Sequence, residues 1–267
     1  MEENKYSEII KKYTFEQLVY ERAILEKEKD NLYIKDKELK EEFKRRLSEG
    51  RWKKMGIPVL IIGKSGSGKS TSLRNFDEKE LALVNVLKKP LPFRKRFEST
   101  ICTDDYQKIL KSIFSTEKKS IVIDDAGYLI TNHFMNKHST AGGGNGVFNL
   151  YNEIGDHFWG LIEFVKNKLP DNKIVYFIMH EDKNNFGDIK PKTIGKLLDE
   201  KVCIEGMFTI ALRCMTDNNK HYFKTQSDGS DICKTPLEMF ADKEIDNDLK
   251  LVDTTIREYY ELNKEDK

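Results

Sequence analysis

From Pro58 onward, short β-branched runs alternate with stretches whose apolar residues recur every three or four positions. The runs Val59–Ile62, Leu81–Val86, Ser120–Asp124, Ile174–Met179 and Met207–Cys214 predict strands. Helical periodicity covers Lys69–Asn75 and Asp104–Phe114, the second with Asp104 as cap and Gln107 behind it. The clearest helix runs from about residue 147 to 169. Its stripe of Tyr151, Ile154, Phe158, Leu161, Ile162 and Val165 is expected to face a sheet, and Pro170 stops it. Strands alternating with helices in this way argue for an α/β fold with a mostly parallel central sheet. Near the end, Ala211–Met215 and His221–Thr225 read as a β-hairpin joined through Asp217-Asn218-Asn219. An acidic helix over 245–262 follows.

The first 54 residues have a different pattern. Thr14 and Gln17 form a capping box, and Leu18, Leu25, Leu32 and Leu39 recur at every seventh position. A long N-terminal helix over 14–48 is expected. The partner heptad positions hold Glu21, Glu28 and Lys35, so a lone amphipathic helix is favoured over an oligomerisation helix. The chain thus divides into an N-terminal helical extension (1–54), a core (55–235) and an acidic helical tail (236–267). Two segments read as loops: the Gly-rich 131–146 and the polar 181–197, in which Lys190, Lys192 and Lys196 are interleaved.

Bulk properties exclude several classes. With 267 residues, 38% of them hydrophobic, there is material for one α/β core with appendages. The formal charge of +1 gives no global basic signature, so any nucleic-acid contact must be local. Cys102, Cys203, Cys214 and Cys233 are scattered and read as reduced thiols, mostly packing residues. The start lacks an apolar signal core, and no stretch approaches a membrane span, so a cytoplasmic location is expected.

The chemistry begins where the first strand ends. Gly63-Lys64-Ser65-Gly66-Ser67-Gly68-Lys69-Ser70-Thr71 matches the phosphate-binding loop G-x-x-x-x-G-K-[ST]. Its glycines let successive N–H groups point inward at phosphate oxygens. Lys69 can reach the β- and γ-phosphates, and the Ser70 hydroxyl can ligand Mg²⁺. A nucleoside triphosphate with Mg²⁺ is the expected ligand. Ile121-Val122-Ile123-Asp124-Asp125 has the form of a Walker B strand, which places Asp124 beside the metal at the strand's carboxyl end. Asp125 is a candidate for polarising the attacking water or, equally, a strand-end cap. His180, where the strand 174–179 runs out, can contact the γ-phosphate and report hydrolysis to the following loop.

These segments together resemble the phage-encoded ATPases of the RecA-core, single-strand-annealing type, the ATP-dependent Sak group. The resemblance spans roughly residues 55–230. It rests on the loop at 63–71, Lys-Pro-Leu-Pro-Phe at 89–93, Thr-Asp-Asp-Tyr at 103–106, Ile-Val-Ile-Asp-Asp-Ala-Gly-Tyr at 121–128 and Met-His-Glu at 179–181. It implies a RecA-like P-loop NTPase core that binds and hydrolyses ATP, acts on single-stranded DNA in phage recombination or replication, and assembles as a homo-oligomer. A phage origin would put it in the host bacterial cytoplasm, with other phage recombination or replication proteins as possible partners. The loops 131–146 and 181–197 would then be DNA-facing, with Lys192 and Lys196 toward DNA phosphates or a neighbour's ATP. One departure stands out: RecA-like enzymes commonly place a catalytic Glu after the strand that follows the phosphate loop, and residues 84–89 offer none.

Two other readings compete. The acidic pair Asp124-Asp125 resembles the Asp-Glu of AAA-type ATPases that remodel a protein partner, although the chain after the hairpin is short for a lid domain. The missing Glu also admits a non-enzymatic role in which ATP holds subunits together.

Overall fold

The computed structural model describes residues 55–142, 144–184, 186–194, 198 and 202–262. The expected helix over 14–48 and Lys196 lie outside them. Among the described residues, the β-branched runs form the strands at the centre of a nine-stranded sheet. These are β1 (Ile57–Gly63), β2 (Leu81–Asn85), β3 (Ser99–Ile101), β4 (Ser120–Asp124), β5 (Ile174–Lys183), β6 (Ile189–Pro191), β7 (Ile210–Asp217), β8 (Lys220–Lys224) and β9 (Glu244–Asp246). Their order is β3-β2-β4-β5-β1-β7-β8-β9, with β6 attached to β5. All pairings from β3 across to β7 are parallel, and the β7–β8, β8–β9 and β5–β6 pairs are antiparallel. The fold is a mixed α/β architecture with a mostly parallel sheet.

Burial on both faces explains why the central strands are continuously apolar. Leu60, Ile62, Ile121, Ile123, Val175 and Phe177 pack with α1 (Tyr106–Ser115), α2 (Gly127–Lys137) and α3 (Asn145–Lys168). The alternate residues Val59, Ile61, Val122, Tyr176 and Ile178 pack with Leu73, Phe76 and α4 (Leu249–Tyr259) on the other face. Among the described residues, no helix is long and apolar enough to cross a membrane.

Several expectations change in detail. The stretch after Lys69 forms a six-residue 3-10 helix, Ser70–Asn75, rather than an α-helix, so its dipole contributes less. Residues 131–146 are not one loop: α2 continues to Lys137 because Leu129 and Ile130 bury against the core, and α3 restarts at Asn145. Residues 181–191 are not a loop either. β5 runs on to Lys183 and pairs with β6, Glu181 opposite Pro191 and Lys183 opposite Ile189. The strand expected at Met207–Cys214 starts later, because residues 204–207 form a 3-10 turn. The β7–β8 hairpin is present, and its two-residue turn puts Asn218 and Asn219 at φ 46° and 63°, the conformation a tight hairpin requires. In the stretch read as a helical tail, β9 joins the sheet. Helix α4 is capped by Asp248, whose carboxylate accepts from the Lys250 and Leu251 amides, and buries Leu249, Val252 and Ile256.

Candidate functional site

The 63–71 turn leaves the carboxyl end of β1, between its two parallel neighbours. Gly63 is in register with His180 of β5 on one side and with Cys214 of β7 on the other. This crowding dictates the glycine: a Cβ at position 63 would lie 2.6 Å from both the Cys214 carbonyl oxygen and the Ser67 hydroxyl. Gly68 adopts φ 97°, in the left-handed region. The turn is braced from outside. The Cys214 thiol donates to the Ser67 carbonyl at 2.9 Å, and His221 Nδ1 bonds the same oxygen at 2.8 Å. Burial pushes the Cys214 thiol up to about 11, which keeps it a protonated donor. Asn247 Nδ2 reaches the same sulfur, and Arg74 donates to the Asn247 carbonyl at 2.5 Å, so the β9–α4 junction supports the turn as well.

Inside the turn, Lys69 is buried and its ammonium donates to the carbonyls of Gly63 (2.8 Å) and Lys64 (2.7 Å). Burial lowers its pKa, while the nearby carboxylates of Asp125 and Asp124 pull the other way. Ser70 Oγ donates to Asp124 Oδ1 at 2.9 Å, a contact across 54 residues of sequence. Lys64, Ser65 and Gly66 form the exposed crest, Thr71 is half-buried, and Ser67 is buried.

The two acids at the end of β4 behave differently. Asp124 is pushed up to about 6, first by burial and then by the charge of Asp125, against the Ser70 hydrogen bond. Asp125 sits at φ 59°, a left-handed conformation that costs a non-glycine residue on the order of 1–2 kcal/mol. Burial works against its charge too, but His180 and Lys89 outweigh it and hold the acid below the usual carboxylate range. Lys89 Nζ lies 2.6 Å from Asp125 Oδ2, and His180 Nε2 lies 3.5 Å from Oδ1. Tyr128 meets the His180 ring edge-on at 6.0 Å.

The sequence-predicted residues Gly63, Gly68, Lys69, Ser70, Asp124, Asp125 and His180 therefore meet at the carboxyl ends of β1, β4 and β5. Lys190 lies on β6. Lys192 is exposed just beyond that strand, and its amide donates to the His180 carbonyl at 2.8 Å.

Sequence reasoning missed Lys89 as a site residue. Asn85, at the end of β2 in register with Asp124, folds the next turn back: its amide donates to the Lys89 carbonyl (2.6 Å) and accepts from the Lys89 amide (3.2 Å). That turn carries the cation to Asp125. The available signal was Lys-Pro-Leu-Pro-Phe, whose first residue this is. Sequence reasoning also missed the pair beside His180, where Glu181 receives Arg213 in a two-pronged contact (2.7 and 2.9 Å) that ties β5 to β7.

The residues present fit a magnesium polyphosphate. The Ser67 hydroxyl is buried with no hydrogen-bond partner, and Asp124 is a buried acid whose side-chain hydrogen bond comes from a hydroxyl rather than a cation. No family model matches the chain, and no curated protein matches it.

Proposed function

We propose that this protein is a Mg²⁺-dependent ATPase with a RecA-like P-loop core that acts on single-stranded DNA. The observation that carries the reading is the 2.9 Å Ser70–Asp124 contact, which joins a G-x-x-x-x-G-K-S turn to an acidic strand end. Ser70 and Asp124 would hold Mg²⁺, which supplies charge neutralisation to the triphosphate. Lys69 would exchange its two carbonyl contacts for phosphate oxygens. Asp125, ionised at neutral pH, would orient the attacking water. Strand β5 links this site to the β5–β6 hairpin, because His180 and Glu181 are consecutive on it.

That hairpin supports the DNA part of the reading. Its turn leaves Phe186 91% exposed, and the same hairpin carries Lys183 and Lys190, with Lys192 at its base, so ring and cations suited to single strands share one element. The resemblance to phage annealing ATPases points the same way, and it implies a homo-oligomer with a role in phage recombination or replication.

One observation favours a second reading, in which ATP holds subunits together without turnover. At the end of β2 the side chain is Asn85, not an acid, and the Lys89 backbone already engages its amide. Phosphate release with and without single-stranded DNA separates the two. The expected result is release that rises with DNA at low salt and falls as salt increases. Lys69→Ala should lower turnover by on the order of 10²–10³-fold, the scale of removing one preorganised donor. Tight ATP binding by the parent with no phosphate release would leave the second reading standing.

A further inference from the structure

Away from this site, the helical layer brings together two histidines and a carboxylate from separate turns. His133 lies on α2, and Glu153 and His157 lie on α3, one helical turn apart on the same face. One ligand atom from each of the three lies within 4.8 Å of those of the other two. His133 Nε2 is 3.2 Å from Glu153 Oε1, close to the roughly 3.3 Å separating ligand atoms about 2.0–2.1 Å from one tetrahedral ion. The imidazoles meet edge to face with centroids 5.1 Å apart.

Two features make this more than a polar cluster. His157 Nδ1 lies 2.8 Å from the Glu153 backbone carbonyl, which assigns its proton to Nδ1 and leaves the Nε2 lone pair for a ligand. This is the arrangement that orients metal-bound imidazoles. Second, Tyr106 of α1 packs its ring 5.2 Å from His157 and 6.3 Å from His133, and its buried hydroxyl has no hydrogen-bond partner. Buried hydroxyls normally have a protein or water partner, so this one leaves an unfilled polar contact in the same helical layer.

We infer that His133, Glu153 and His157 form a binding site for a divalent transition metal, with Zn²⁺ the best match. Imidazole nitrogen with one carboxylate oxygen is a borderline donor set that favours Zn²⁺ over Mg²⁺ or Ca²⁺. Lys137 now donates to the same Glu153 oxygen at 2.5 Å. It is half exposed, so its ammonium can turn into solvent when a cation arrives. The ion would clip α2 to α3 across the glycine-rich connection between them. Because α2 begins two residues after Asp125, the clip would also fix the helix that leaves the acidic strand end.

The test uses the whole chain, stripped with chelator and titrated with Zn²⁺ by calorimetry and with Co²⁺ by visible absorption. One ion per chain and a ligand-field spectrum are expected. Zinc at a hundred times its dissociation constant should raise the melting temperature by about 5–10 °C. His157→Ala and His133→Ala should each weaken binding at least about tenfold, and outer-shell effects alone reach that scale. Lys137→Ala, which removes a competitor and no ligand, should tighten binding, so the inference stays testable if a histidine variant folds poorly. Zinc binding that survives in His157→Ala at parental affinity, as binding at the exposed Cys102 or Cys203 would, overturns the inference. So does a parent that takes up no zinc. None of these readouts depends on ATP turnover.

Discussion

Strand β4 carries a polar side chain at each end, and the two ends are built on opposite plans. At the amino end, Ser120 belongs to a closed network. Arg257 donates to Asp253 (2.7 Å), to Ser120 (2.9 Å) and to the Asn172 carbonyl (2.9 Å), while Tyr176 donates to Asp253 at 2.9 Å. Donors and acceptors match, and the network fastens α4 to the bottom of β4 and β5. At the carboxyl end, Asp124 is equally buried, yet its charge is opposed by Asp125 and its carboxylate is met by a hydroxyl. The next residue holds a strained backbone. A buried charge that is fully paired serves the fold. One left short of a cation, next to backbone strain, is where a ligand is expected to complete the balance.

The largest predicted effect breaks the closed end. Asp253→Ala leaves Arg257 buried without its carboxylate, which should cost about 3–5 kcal/mol. For a chain of this size that corresponds to a fall in melting temperature of roughly 6–20 °C. Thermal unfolding measures it directly. A shift below about 2 °C would mean the network is not closed in solution.

The matching change at the open end should act in the opposite sense on stability. Asp124→Asn removes a buried charge that its surroundings disfavour, so the melting temperature should hold or rise while phosphate release falls by about 10²-fold or more. The pH dependence sharpens this. The acid's folded pKa of about 6 lies above its ordinary value of 3.8, so between those values the folded state binds the extra proton. Stability contributed at this position therefore falls as pH rises from about 4 to 6 and is flat above, an order of 3 kcal/mol in all. Urea unfolding of parent and Asp124→Asn from pH 4 to 7 should diverge over that window, with the parent losing ground. Parallel curves would remove the case that Asp124 is kept charged at a cost.

How far the sequence reveals this difference depends on the range of the interaction. The Gly63–Thr71 turn and the Asp124-Asp125 strand end were legible because their chemistry is carried by contiguous residues with fixed spacing. The parallel sheet was legible because strands buried on both faces must be continuously apolar. Less legible was anything set by what packs on top. The 181–191 hairpin reads as polar because it projects beyond the sheet, and β9 is too short to have a period. The Asp253–Arg257 pair looks like ordinary helical i,i+4 charge spacing, and nothing local says that both partners are buried. Lys89 is the sharpest example. Its neighbours marked it as part of a motif, but only the Asn85 turn shows that it reaches Asp125.

The smallest predicted effect isolates that residue. Lys89 is 57% exposed, so its ion pair with Asp125 contributes little to the fold, and Lys89→Ala should cost less than about 1 kcal/mol. Its electrostatic effect on Asp125 is larger, because the carboxylate is buried and Lys89 helps to hold it below the ordinary range. Without Lys89, His180 remains, and the Asp125 pKa should rise. If Asp125 must be ionised to orient water, the acid limb of the phosphate-release pH profile should move to higher pH in Lys89→Ala, with turnover at neutral pH reduced about tenfold or less. Lys89→Arg, which keeps the cation, should restore most of the parental profile. If Asp125 merely caps the strand, the profile will stay in place and only the melting temperature will move. The two roles that the sequence left open at this position thus separate on one measurement.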